Sequence, residues 1–358
     1  MAKIRVAVVF GGMSNEYEVS LVSATHVIRS IPSDKYEVIC IGITKKGHWL
    51  HFIGDLDLIA QDAWEKNPDN VHCVLSPDPL HKGFVALLDD GTVKTIKVDV
   101  VFPVIHGKNG EDGTIQGLFQ MAGIPFVGCD VISSANCMDK EFTHIILESA
   151  GIPMAKYRAV YKSDLDRLDE KAAEISRALT YPLFVKPANA GSSVGVSKAH
   201  DAAELVRGIR LAFAHDDKVI VEQGIVGKEC ECAVLGNADP IASTVGEIEP
   251  ENEFYDYAAK YQSAGGGLFI PARIPQETIE AVRATALKAF RAINCKGLAR
   301  IDFFCCADGT VILNEINTMP GFTAISMYPK LMGETGMTQG ELMDRLIMLG
   351  MERARRYE

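Results

Sequence analysis

The chain has 358 residues, 47% apolar and 23% charged, with a formal net charge of −11. That length suggests two or three domains, and the composition supplies a sizeable core. The acidic balance argues against a nucleic-acid surface as the main business, while leaving room for a local basic pocket for phosphates. No stretch approaches the ~18 apolar residues of a membrane span. Nine scattered cysteines, with no C-x-x-C, read as reduced thiols used as small hydrophobes. The start, MAKIRVAVVFGG, has too short an apolar run for a signal peptide. A cytoplasmic enzyme is expected.

In chain order, IRVAVVF (4–10), EVICIGIT (37–44) and VDVVFPVIHG (98–107) read as strands, with helices near 18–30 and 111–123 and a further short strand, IPFVG, at 124–128. This alternation predicts an N-terminal parallel α/β domain over 1–130. Ligands of such sheets bind at the carboxyl ends of strands, where Gly11-Gly12 and His106-Gly107 fall. A helix over MDKEFTHIILESAG and strands YPLFVKP, GVSKA and VIVEQGI, with a helix near 201–214, suggest a small α+β unit. The expected division is 131–218 for that central unit and 219–358 for a C-terminal one. The latter holds strands near 229–236 and 241–249, a helix at 276–293, a hairpin at 298–317 and a final helix from Gln339. Between them, EIEPENEFYDYAAKYQSAGGG (247–267) is too long for an ordinary connection and reads as a mobile lid or a disordered segment. Its triple glycine would permit hinge motion.

The hairpin is the most specific feature. Asp308-Gly309 signals a two-residue turn, which sets Asp302 opposite Glu315 and Arg300 opposite Asn317 on one face. Ile301 and Ile316 then share the core face. Facing carboxylates repel unless a cation lies between them. Asp302, Glu315 and Asn317, with no His or Cys, suit Mg²⁺ bound together with phosphates.

Other motifs leave two readings open. VKPANAGSSVGVSK (185–198) can present the N–H groups of Gly191, Ser192, Ser193 and Gly195 to an anion, or form an ordinary turn; it is no Walker A loop. Lys186, inside an apolar strand, favours the anion. Glu222 and Glu229 are solvated surface residues or contacts at the edge of a nucleotide cleft. Glu18 can favour a helix N-terminus electrostatically, whereas Glu16 in the loop mouth could hold an ammonium. His106, with Lys108, Glu111 and Asp112, is a surface residue or part of a site at a strand end. Gly321 and Ser326 in TMPGFTAISMYP could hold a carboxylate or merely connect a strand to a helix.

Taken together, GGMSNEYEVSLVSA, HGKNGEDGTIQG, MDK, VKPANAGSSVG, EFYDYAAKY, RIDFF and NEINTMPGFTAISMYP, in that order, resemble the D-alanine–D-alanine ligases of the ATP-grasp superfamily. The resemblance covers nearly the whole chain and implies a three-domain ATP-grasp fold. It implies that Asp302, Glu315 and Asn317 hold two Mg²⁺ ions (Mn²⁺ being an alternative). Lys140, Lys186 and Ser193 would meet the ATP phosphates, and Glu222 and Glu229 the adenine and ribose. Glu16 would bind the ammonium of the first D-alanine, linked to Ser192 and Tyr261. Lys260 and Tyr261 would belong to the mobile loop, and His106 would lie near the first substrate. Arg300 and the Gly321 N–H would stabilise an oxyanion, and Ser326 and Met327 would border the second D-alanine.

The implied reaction makes an acyl phosphate from D-alanine and ATP, which a second D-alanine attacks to give a dipeptide for peptidoglycan precursors. A homodimer is also implied. Tyr17 departs from the family, where His or another polar residue is common. Stretches such as VGCDVISSANCMDK also look similar to the vancomycin-resistance D-Ala–D-Ser ligases. Those relatives typically carry Arg at the position of Met327, and D-lactate ligases typically have His near Lys260-Tyr261. An apolar Met327 suits a methyl group better than a hydroxyl, so D-alanine is expected as second substrate and D-serine as its competitor. A catalytically silent ATP or amino-acid sensor is the remaining alternative, and the complete set of metal ligands, Arg300 and lid residues argues against it.

Overall fold

The structure, a computed structural model, describes residues 2–249 and 267–354. Three sheets organise it. The first has seven strands: β1 (Ile4–Gly11), β2 (Tyr36–Ile43), β3 (Trp49–Phe52), β4 (Val71–Leu75), β5 (Gly83–Leu87), β6 (Val93–Lys97) and β7 (Val100–Val104), in the order β6-β5-β4-β3-β2-β1-β7. Only β2-β1-β7 are parallel; β3 to β6 extend the sheet as an antiparallel meander. The expectation of a purely parallel first domain is corrected to that extent. The parallel strands are continuous apolar runs because both faces are covered, and Val6 to Phe10 are wholly buried. The meander is short and polar at its edge, which hides it from pattern reading. IPFVG, expected as a strand, makes one bridge only, Phe126 to Val101: Val101 N–H donates to Pro125 O at 2.8 Å and Val127 N–H to Val101 O at 2.9 Å, while Pro125 has no N–H to extend the ladder.

The central sheet joins β8 (Tyr157–Tyr161), β9 (Leu183–Pro187), β10 (Ser197–Ala199) and β11 (Lys218–Gln223) in the order β10-β9-β11-β8. Leu168, Ala172 and Ile175 of helix Leu168–Ala178, and Leu205, Ile209 and Ala212 of helix Ala202–Ala212, form one core with Val185, Val219 and Val221. Since β11 pairs with both β8 and β9, a boundary at 218/219 would cut this sheet. We therefore set the division after Gln223.

The third sheet is antiparallel throughout: β12 (Lys228–Gly236), β13 (Ile241–Glu249), β14 (Gly267–Phe269), β15 (Gly297–Cys305) and β16 (Val311–Asn317), in the order β14-β13-β12-β15-β16. Helix Gln276–Ala292 covers one face with Val282, Ala286, Ala289 and Phe290. The last helix, Gln339–Ala354, leaves this unit and packs Leu342, Met343, Leu346 and Ile347 into the core of the first sheet with Val6, Val8 and Phe10. Tyr36 Oη donates to Asp344 at 2.8 Å across that junction.

The β15–β16 hairpin corrects one expectation and keeps its result. Gly309 N–H donates to Cys306 O at 3.0 Å and Cys306 N–H to Thr310 O at 2.9 Å, so the turn has three residues, Ala307 to Gly309, not two. Gly309 sits at φ +86°, the left-handed position such turns need. Next to the turn the strands are one residue out of the expected register, with Phe303 opposite Leu313. A bulge at Asn314 then restores it: Asp302 faces Glu315, Ile301 faces Ile316 and Arg300 faces Asn317. Leu313 and Ile316 are both buried while Asn314 and Glu315 between them are not. The bulge thus turns two consecutive polar residues off the core face.

Candidate active site

On the open face of the third sheet, Arg300 is clamped by two carboxylates. Its Nε and Nη2 donate to Asp302 Oδ1 and Oδ2 at 2.8 and 2.7 Å, and Nε lies 3.0 Å from Glu231 Oε2. Burial works to discharge Arg300, but Asp302 and Glu231 outweigh it and hold the guanidinium more firmly charged than usual. Asn317 Nδ2 donates to Asp302 Oδ2 at 3.0 Å. Sequence reasoning missed Glu231, though a signal existed. Cys230 and Cys232 are buried among apolar neighbours, so strand alternation sends Glu231 to the other face, opposite Asp302.

Among the described residues no group of three or more His, Cys, Asp or Glu side chains forms a metal site. The donor set at this face is instead two carboxylates and an amide. The chemistry still fits a hard divalent cation, since the Asp302 oxygens, which accept one and two of these hydrogen bonds, keep further lone pairs.

Beside it lies a second charged chain. Lys186 Nζ meets Glu222 Oε2 at 2.6 Å, and Glu222 Oε1 meets His144 Nε2 at 3.1 Å. The His144 ring stacks on Tyr157 at 4.2 Å. Glu222 is 6% exposed, which rules out a solvated surface role. Burial would raise its pKa, but Lys186 and His144 bring it down to about 2. Lys186 in turn is held charged against its burial, chiefly by Glu222, with Glu315 and Glu229 adding to the field. Glu229 is half-buried on β12. Lys140 Nζ donates to Ala190 O at 2.7 Å and its backbone N–H to Ala188 O at 3.1 Å, which pins the helix Lys140–Ser149 to the base of the small-residue loop. In that loop Ser192 and Ser193 both hold left-handed backbone, at φ +48° and +58°. Two such non-glycine residues in a row are costly and suit a loop held for a purpose.

The loop reaches the N-terminal unit through one side chain: the Ser192 hydroxyl donates to Glu16 Oε1. Glu16 is buried at the head of helix Tyr17–Ser30. Glu111 lies beside it, accepting from Gly107 N–H at 2.7 Å and Met319 N–H at 3.3 Å. Burial and the Glu16 charge raise the Glu111 carboxyl to about 8. Sequence reading noted Glu111 but assigned it no role. His106 is fully engaged: Nδ1 with Met319 O at 3.0 Å and Nε2 with Ser23 Oγ at 3.3 Å. It is a buried residue of the site, not a surface one, and neither ring nitrogen is left over for a small molecule. Tyr17 faces away from the site. It is buried under Lys45 and its Oη accepts from Trp64 Nε1 at 2.9 Å, so its departure from the common pattern does not alter the pocket.

Gly321 is buried in the loop after β16. Ser326 Oγ accepts from Thr323 N–H at 3.0 Å and contacts Thr323 Oγ1 at 2.8 Å. Met327 packs in the core, its thioether so close to Gly246 that a methyl there would collide with it. It can shape a pocket beyond Ser326 only from behind. Lys260 and Tyr261, with most of the expected lid, lie outside the described residues.

Two family signatures match the chain: the D-ala D-ala ligase N-terminus over residues 5–129 and the D-ala D-ala ligase C-terminus over residues 146–348. A D-alanine–D-alanine ligase of Acetivibrio thermocellus is 50% identical, over 98% of this chain and 96% of its own. D-alanine–D-alanine ligase A of Salmonella typhimurium is 44% identical, over 99% and 97%. Among solved structures, the VanG D-Ala:D-Ser ligase of Enterococcus faecalis superposes with a TM-score of 0.90 at 42% identity, covering 98% of this chain and all of that one. The D-alanine–D-alanine ligase of Coxiella burnetii gives 0.86 at 31%, covering 100% and 96%.

Proposed function

The chain belongs to the D-alanine–D-alanine ligase family, and we propose how its residues perform that reaction. The protein is a ligase that joins two D-alanine molecules at the expense of ATP, a step in making peptidoglycan precursors. Glu16, steadied by Ser192, holds the ammonium of the first D-alanine. The carboxylate of that D-alanine attacks the γ-phosphorus of ATP, forming an acyl phosphate and releasing ADP. Lys140, Lys186 and Ser193 offset the phosphate charge, while Glu222 and Glu229 meet the adenine and ribose. Asp302, Glu315 and Asn317 would hold Mg²⁺, two ions in all, which when bound neutralises phosphate charge and aligns the transfer. Lys260 and Tyr261 help close the site, because water would hydrolyse the acyl phosphate.

The amine of the second D-alanine, placed beside Ser326 with Met327 behind, then attacks the acyl carbon. Arg300 and the Gly321 N–H meet the tetrahedral oxyanion, and inorganic phosphate leaves as hydrogen phosphate, which accounts for the proton the amine gives up. The observation that carries this assignment is the face on which Asp302 opposes Glu315 and Arg300 opposes Asn317. Family membership supports a homodimer working in the cytoplasm. Among the described residues, no helix is long and apolar enough to cross a membrane.

The likeness to VanG raises D-serine as a second substrate, but the more similar D-alanine–D-alanine ligases favour D-alanine. ADP release with D-alanine alone, against D-alanine plus D-serine at several pH values, tests the choice with products identified by mass. D-alanyl-D-alanine is the expected dominant product. A dominant D-alanyl-D-serine product would reverse the order, and no amino-acid-stimulated ADP release would refute ligase activity.

A further inference from the structure

We propose that Ser23 is a positioning residue for peptide-bond formation, acting with His106 as a staple that fixes the amide of Gly321. The inference rests on the reading of Gly321 as an oxyanion donor. The polarity of the staple follows from which atoms can donate. Met319 O can only accept, so His106 Nδ1 carries the hydrogen of their 3.0 Å contact. Burial favours the neutral imidazole over the charged one, which leaves Nε2 as an acceptor. The Ser23 hydroxyl therefore donates to Nε2 across 3.3 Å, and Ser23 Oγ accepts from Phe322 N–H at 3.3 Å. The chain of bonds runs from Met319 to Phe322 and brackets Pro320 and Gly321 from both sides.

The remaining amides of the segment are accounted for. Met319 N–H is taken by Glu111, Phe322 N–H by Ser23, and Pro320 has none. Among the described residues, only Gly321 N–H in this stretch has no partner, so it alone is available to a new anion. The supports are rigid. Ser23 is wholly buried in the middle of helix Tyr17–Ser30, whose Ser20 binds the end of β7 through Val104 O. His106 follows β7 by two residues. The Phe322 ring packs on Phe102 and Tyr328, at 6.1 and 5.5 Å between centroids. A donor held by buried neighbours stays oriented toward developing charge at no cost during reaction.

The test compares the unaltered protein with Ser23→Ala, Ser23→Cys and Ser23→Thr. Each is measured for kcat, for KM of ATP and D-alanine, for melting temperature, and for inhibition by a phosphinate dipeptide that mimics the tetrahedral species. Ser23→Ala is expected to lower kcat about tenfold and weaken phosphinate binding by a similar factor, with KM for ATP unchanged. Ser23→Thr, which keeps the hydroxyl, should recover most of both. If the alanine variant does not fold, the near-isosteric cysteine variant, a weak donor and acceptor, should show the same pattern. Variants that melt lower yet keep kcat and phosphinate affinity would overturn the proposal. So would a loss shared equally with KM for ATP. An unaltered protein that makes no dipeptide would overturn both this inference and the ligase reading; active unaltered protein with unaffected variants would overturn this one alone.

Discussion

The two sides of the site handle buried charge in opposite ways. On the third sheet and the neighbouring strands, charges meet opposite charges: Arg300 with Asp302 and Glu231, Lys186 with Glu222. On the N-terminal side, Glu16 and Glu111 meet neutral donors, a serine hydroxyl and backbone amides. Hydrogen bonds from neutral groups orient a carboxylate without cancelling its charge. Glu111 shows the result, its carboxyl raised to about 8 by burial and by Glu16. One side is balanced within the protein and suited to exchanging ions and phosphates. The other crowds two carboxyls together, a strain that an amino acid's ammonium group would relieve.

Arg300→Met should have the largest effect on the balanced side. It would leave Asp302 and Glu231 without the guanidinium that pairs with both. A charge buried without its partner costs about 3–5 kcal/mol, to be read as a fall in the urea midpoint together with lost turnover. Deleting Ala307 instead should cost less than about 1 kcal/mol, because Asp308-Gly309 can then form the two-residue turn they favour. If both changes behaved alike, the charge pairing would have no special role.

Glu315→Gln comes next. It should fold as the unaltered protein does and lose at least about 100-fold in turnover, equal to roughly 2.7 kcal/mol of transition-state stabilisation. Unaltered turnover would remove Glu315 from the ligand set.

The pH dependence of stability separates the two sides by sign. Glu222, held at about 2 against an ordinary value of 4.5, adds stability that is present above pH 4.5 and lost as pH falls toward 2. Glu111, raised from 4.5 to about 8, keeps its proton in the fold, so stability is lost as pH rises from 4.5 toward 8. Glu111→Gln should therefore melt a few degrees higher than the unaltered protein at pH 8 and show little difference at pH 5. Calorimetry at both values checks it, and equal melting differences at the two would count against the crowding of the two carboxyls.

Much of this was legible before the structure. The apolar runs of β1, β2 and β7 and the alternation along β15 and β16 announce themselves because burial dictates them residue by residue. Lys186 was legible because a lysine in an apolar strand demands a partner. The meander from β3 to β6 was not, since short strands with one wet face carry little pattern. Ser23 and His144 were invisible for another reason: each is unremarkable in its own helix and gains meaning only from partners far along the chain. The hairpin register was right through two compensating one-residue errors. A turn taken as one residue too short and an unseen bulge cancelled, and nothing in the local sequence distinguishes that outcome from a plain ladder.

The last helix has a consequence for how the protein is made. Leu342, Met343, Leu346 and Ile347 complete a core whose first strand begins at Ile4. At roughly 5–20 residues per second of synthesis, the opening strands wait tens of seconds on the ribosome for the segment that covers them. The first unit to emerge is thus among the last to be sealed, and a chain cut short before residue 342 would leave Val6, Val8 and Phe10 with an open side for chaperones to guard.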